Sequence, residues 1–162
     1  MNKLYTSINR VIESMLVIIF GLLVVDVLWQ VFSRYIIGQS SSFTEEFARF
    51  ALIWLSILGA AYLNGQREHL AIDFWLKKLP LAKQRQRIKI IEVMMLLFAL
   101  IIMVIGGGNL VYLTLSLGQK SSVLGIPLGI VYAIVPFSGL LIIFYSFYNL
   151  SQMEEVDPKT QA

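Results

Sequence analysis

Four apolar stretches, each long enough to cross a bilayer, constrain this chain more than any other feature. They occupy residues 11–33, 44–65, 88–115 and 123–150. A helix needs about 20 predominantly apolar residues to span the hydrocarbon core. Inside that core no water satisfies the backbone, so each stretch must pair its own N–H and C=O groups as a helix. Composition agrees: the chain is 57% apolar and 14% charged, against about 45–50% and about 25% in a soluble domain. It has too little polar surface to cover a water-facing exterior. The expectation is an all-α integral membrane protein with four transmembrane helices, forming a single membrane domain over residues 1–162. No small-x-small cleavage site follows the first stretch, and its apolar run is too long for a signal peptide, so it is expected to remain a span.

Basic residues give these spans a direction. Seven lie in or beside the central loop 66–87: Arg67, Lys77, Lys78, Lys83, Arg85, Arg87 and Lys89. Lys3 and Arg10 precede the first span, and Lys159 lies in the polar tail 151–162. Only Arg34, Arg49 and Lys120 fall on the other side. Ten against three places both termini and the central loop in the cytoplasm, which suits a bacterial inner membrane. Anionic lipid headgroups explain this basic charge better than nucleic acid does, because it borders apolar segments. Within the loop, "HLAIDFWLKKLP" mixes aromatics with lysines and ends at Pro80, the composition of a short helix lying at the interface. Beyond it, "AKQRQRIKIIE" should extend the third helix out of the membrane.

Catalytic chemistry has little to build on. There is no cysteine and one histidine, His69, which excludes thiolate ligands, cysteine nucleophiles and histidine-rich zinc sites. His69 and Asp73 are one helical turn apart and could hydrogen-bond, but this spacing is one residue short of the acyltransferase His-x-x-x-x-Asp motif. No Walker loop or Gly-x-Ser-x-Gly elbow is present. The expectation is a non-enzyme with no cofactor in this chain. A small membrane enzyme built on His69 and Asp73 is an alternative reading.

Two polar groups need a reason. Asp26 lies deep in the first span, where a carboxylate is expensive and usually functional. It is followed at a spacing of four by Gln30 and Arg34, so the three share one helix face, with Ser33 alongside. That stripe suits hydrogen bonding to protein; an ion-coupled carrier using Asp26 is the competing reading. Against it, a transport site usually recruits several ligands from broken helices, and the two halves of the chain show no repeat. The second group is Glu45, Glu46 and Arg49. Ser42-x-x-Glu45 matches a capping box, Thr44 is a second candidate N-cap, and acids favour the first turn of a helix. Arg49 is one turn from Glu45 and pairs with it by spacing, which leaves Glu46 for an outward contact. Gly125-x-x-x-Gly129 and the "GGGN" at 106–109 offer close-packing surfaces.

The ordered set Arg34-Tyr35, Gly38, Glu45-Glu46, Arg49, Trp54, Gly59-Ala60, Arg67-x-His69 and Asp73 resembles the small membrane subunit of tripartite ATP-independent periplasmic (TRAP) transporters, the DctQ-like family. The similarity covers essentially the whole chain. Phe43 stands where the family often has tryptophan. The resemblance implies a non-catalytic subunit that scaffolds a large membrane subunit, which binds both substrate and the coupling sodium. It also implies a periplasmic substrate-binding protein that delivers an organic acid such as a C4-dicarboxylate or sialic acid. Asp26, Gln30, Arg34, Glu45, Glu46, Arg49, His69 and Asp73 are then candidates for structural or partner-interface roles.

Overall fold

The computed structural model describes residues 2–38, 41–66 and 81–155. Helix α1 spans Asn2–Phe32, runs on through a π-helical turn at Ser33–Ile37, and stops at Gly38, whose φ of 76° few other residues adopt without strain. Helix α2 is Ser42–Gly65. The third crossing is a continuous rod made of α3 (Leu81–Phe98), a π-helical segment Ala99–Gly106 and α4 (Gly107–Ser116). The fourth is α5 (Leu128–Tyr132) followed by α6 (Ile134–Glu155). Among the described residues four helices are therefore long and apolar enough to span a bilayer: Leu4–Ile36, Ser42–Gly65, Gln86–Ser116 and Leu128–Ser151. The second matches its expected limits closely, and the third includes the expected extension through residues 82–92. The interfacial helix expected within 66–87, with His69 and Asp73, lies outside the described residues.

The fourth span starts at Leu128, not at residue 123. The reason is local backbone chemistry. Helix α4 ends in a Schellman motif: Gly118 has φ 61°, its N–H donates to Leu115 O at 3.0 Å, and Gln119 N–H donates to Thr114 O at 3.0 Å. The chain then doubles back, with Ser121 N–H to Ile126 O at 2.9 Å and Leu128 N–H to Gln119 O at 3.0 Å. Gly125 sits at φ 66° within this turn. It is therefore a turn glycine, and the expected Gly125-x-x-x-Gly129 helix-packing motif does not form. Pro127 caps the restart, and Pro136, lacking an N–H, accompanies the break between α5 and α6 at Ala133.

Helix α6 is the centre of the bundle. Of its apolar window 39% is buried inside the chain, against 6% for the first span and 11% for each of the other two. The first span packs on α2, α2 packs on α6, and the third span also packs on α6. Lipid tails are as apolar as leucine, so close fit has to do the work that water exclusion does elsewhere. Two small clusters supply it: Ile12, Leu58 and Ile134 join the first, second and fourth spans, and Ala61, Ala99 and Ile142 join the second, third and fourth. Glycine permits the tightest approach. A Cβ on Gly65 would lie 2.7 Å from the Tyr145 ring, and one on Gly139 would lie 2.8 Å from Met103.

Candidate functional site: polar clusters at the two ends of the bundle

At the end of the bundle opposite the termini, one carboxylate organises the connection between the third and fourth spans. Glu46, in the first turns of α2, accepts hydrogen bonds from Ser121 Oγ (2.9 Å) and from the backbone N–H of Ser122 (3.2 Å), Val123 (3.0 Å) and Leu124 (2.8 Å). Three successive amides converging on one anion form a nest. Bonds from backbone N–H to a carboxylate are charge-assisted and stronger than neutral ones. Glu46 is thus committed inside the chain, which corrects the expectation that it reaches outward. The turn-forming composition of 118–127 was a readable sign that this segment needs an anchor. The partner, more than seventy residues away, was not.

The neighbouring charges behave differently. Glu45 and Arg49 do meet, at 3.8 Å, with their side chains 63% and 68% exposed. Such a pair contributes at most about 1 kcal/mol. The expected Ser42 capping box is absent. Ser41 is the N-cap and its side chain makes no capping bond, while Thr44 Oγ1 donates back to Ser41 O at 2.9 Å. Along α1, Gln30 Nε2 donates to Asp26 Oδ2 at 2.7 Å, with both side chains half-buried. Arg34 is exposed and makes no ion pair among the described residues, so the stripe joins Asp26 and Gln30 but not Arg34.

At the end carrying the termini, the spans are tied by polar groups that sequence reading passed over. Glu92 of α3 is 7% exposed and accepts from Asn149 Nδ2 at 2.9 Å. Asn149 also reaches the Asn64 carbonyl at 3.4 Å, one of the last carbonyls of α2, and Asn64 Nδ2 reaches Ser146 Oγ at 3.4 Å. Three spans meet in this network. The first span joins beside it through aromatics. Tyr5 OH donates to Gly65 O at 2.9 Å, Tyr145 OH donates to Asn9 Oδ1 at 2.6 Å, and Tyr5 stacks on Tyr148 with centroids 4.4 Å apart. In the sequence Glu92 reads only as an interruption. The spacing of Tyr145, Ser146 and Asn149 along one face of α6 was the available hint.

Beside the Glu46 cluster an apolar cleft of about 440 Å³ opens between α1, α2 and α5, lined among others by Leu22, Phe47, Phe50, Trp54 and Ile130. The Trp54 indole N–H is spent on Val131 O at 3.0 Å. Hydrocarbon walls of this kind suit an acyl chain or an apolar side chain; an organic acid requires charged or polar donors. Among the described residues no three His, Cys, Asp or Glu side chains are grouped to hold a metal ion.

Comparison with known proteins gives this geometry a context. The family model described as "Tripartite ATP-independent periplasmic transporters, DctQ component" matches residues 11–155. The chain belongs to the DctQ family. A TRAP transporter small permease protein of Haemophilus influenzae is 29% identical over 142 residues, covering 88% of this chain and 86% of that protein. The sialic acid TRAP transporter small permease protein SiaQ of Vibrio cholerae is 26% identical over 99 residues, covering 61% of this chain and 57% of its own. As a DctQ component, this multi-pass membrane protein is a small permease subunit of a TRAP transporter. Its best-defined polar clusters, around Glu46 and Glu92, are bonds between its own elements.

Proposed function

We propose that this DctQ subunit is a non-catalytic scaffold in the bacterial inner membrane. It holds a large sodium-coupled subunit in position for uptake of an organic acid, a C4-dicarboxylate, sialic acid or a similar carboxylate, delivered by a periplasmic binding protein. The observation that carries this reading is how the polar groups are used. Glu46 is consumed by a turn, Glu92 is held by Asn149 in a network that joins three helices, and Asp26 answers Gln30. Meanwhile only 6% to 11% of the apolar windows of the first three spans is buried inside the chain, and a larger membrane partner can cover their exposed faces. Neither a substrate carboxylate nor sodium is asked of this chain; both belong to the large subunit.

Reconstitution tests it. Liposomes holding this chain, the large subunit and the binding protein should take up solute in a sodium gradient, and omission of this chain should abolish uptake. Robust uptake by liposomes holding this chain alone would overturn the scaffold reading. The same proposal places both termini and residues 66–87 in the cytoplasm, on the ten-to-three basic asymmetry. In a chain without native cysteine, Ser41→Cys should label with an impermeant thiol reagent in intact cells and Gln84→Cys should not. The reverse pattern would invert the topology.

A further inference from the structure

The network at the end of the bundle carrying the termini gathers negative charge and no cation to balance it. Glu92 is 7% exposed, and among the described residues it makes no ion pair. Its Oε1 accepts from Asn149 Nδ2 at 2.9 Å, while Oε2 is buried and has no hydrogen-bond partner. The same Asn149 nitrogen reaches the Asn64 carbonyl at 3.4 Å. Carboxylate and carbonyl oxygen therefore both lie within reach of one amide group. Asn64 and Gly65 close α2, whose last turn carries no basic residue. A helix C-terminus holds a partial negative charge of about half an elementary charge and favours a cation beside it. A buried carboxylate next to an uncompensated helix end is costly until positive charge joins them.

The surroundings narrow what can supply that charge. Asn149, Asn64 and Ser146 are neutral, and Tyr5 and Tyr145 spend their hydroxyls on Gly65 O and Asn9 Oδ1. A proton on Oε2 would make it a donor that needs an acceptor in turn, whereas a metal ion takes the free lone pairs directly. Oxygen ligands select hard cations over transition metals. Calcium takes about six to eight oxygens and magnesium a near-ideal octahedron, and no three acidic side chains are grouped among the described residues. One carboxylate with neutral carbonyl oxygens matches a single positive charge. The other buried polar atom without a partner, Ser138 Oγ, is a neutral hydroxyl and makes no such demand. We propose that Glu92 and the C-terminal carbonyls of α2, Asn64 O among them, bind a structural monovalent cation, potassium or sodium, that ties α2 to α3. It is not the coupling ion, which the function proposed above places in the large subunit, and the site does not depend on that reading.

Thermal unfolding of the full chain in detergent tests the site. At equal ionic strength, potassium or sodium chloride should raise the midpoint over that in choline chloride. The rise should be roughly 3–6 °C once the salt exceeds its dissociation constant about tenfold. The salt that acts at the lower concentration identifies the ion. Glu92→Gln keeps the size and one acceptor oxygen, and should abolish the difference; Asp26→Asn and Glu45→Gln should retain it. Infrared difference spectra between potassium or sodium and choline should show a shifted carboxylate band, absent from Glu92→Gln. Equal midpoints in all three salts, or a difference that survives Glu92→Gln, would overturn the site. If Glu92→Gln does not fold, the spectra of the unmodified protein, Asp26→Asn and Glu45→Gln decide. A carboxylate band that does not respond to the cation in any of them, or whose response is lost in Asp26→Asn or Glu45→Gln, rejects Glu92 as the ligand.

Discussion

In Glu46→Ala the backbone amides of Ser122, Val123 and Leu124 should exchange with deuterium at least about tenfold faster than in the unmodified protein. All three donate to the Glu46 carboxylate, together with the Ser121 hydroxyl. Alanine removes the acceptor from four donors at once and offers nothing in its place. Glu46→Gln keeps one carbonyl oxygen but points an NH₂ group at donors, so it should fall between the two. Arg49→Gln, which disturbs only an exposed pair, should leave these amides as they are. Mass spectrometry on a peptide covering residues 119–125 reads the effect directly. Unchanged exchange in Glu46→Ala would mean that the turn holds itself through its own bonds, from Ser121 N–H to Ile126 O and Leu128 N–H to Gln119 O. The carboxylate would then be incidental. The contact matters because it fastens the second span to the start of the fourth at the far end of the bundle, where α1, α2 and α5 diverge around the apolar cleft.

At the opposite end, Asn149→Leu should destabilise the protein by about 1–3 kcal/mol, the range for leaving a buried polar group without its hydrogen-bond partner. Asn149 supplies the amide that reaches both the Glu92 carboxylate and the Asn64 carbonyl. Glu92 Oε2 already has no hydrogen-bond partner, so this change strips a buried carboxyl group of its remaining donor. Leucine has the same number of side-chain heavy atoms as asparagine and the same branch point, so the change opens no cavity. The double variant Asn149→Leu/Glu92→Leu should be more stable than Asn149→Leu alone, because removing both partners leaves no orphan. Thermal unfolding in detergent of the unmodified protein, Asn149→Leu, Glu92→Leu and the double variant closes the cycle. A double variant whose loss equals the sum of the two single losses would show that the two side chains act independently.

Hydrophobic length and basic asymmetry made four membrane helices legible without coordinates, because a bilayer forces any apolar stretch of about 20 residues into a self-bonded helix. Spacing of four likewise put Asp26 with Gln30 and Glu45 with Arg49, both of which meet in the structure. These are local rules, acting within one or two turns. The ordered motif from Arg34 to Asp73 carried the family. Local rules also misled. Ser42-x-x-Glu45 reads as a capping box, yet the helix takes Ser41 as its cap. Gly125 reads as a packing glycine, yet positive φ places it in a turn.

Tertiary structure decided which polar residues find each other. Glu46 meets a turn 75 to 78 residues later, and Glu92 meets Asn149 across 57. No periodicity encodes such pairs; they depend on α6 packing against both the second and third spans. Hydropathy treats all faces of a span alike, because lipid and packed protein are equally apolar. Which face is buried is set by small residues and hydrogen bonds that appear only when helices are side by side. From its residues alone the chain was committed to the membrane and to helices; the packing order of those helices, and the partners of their few charges, came from tertiary structure.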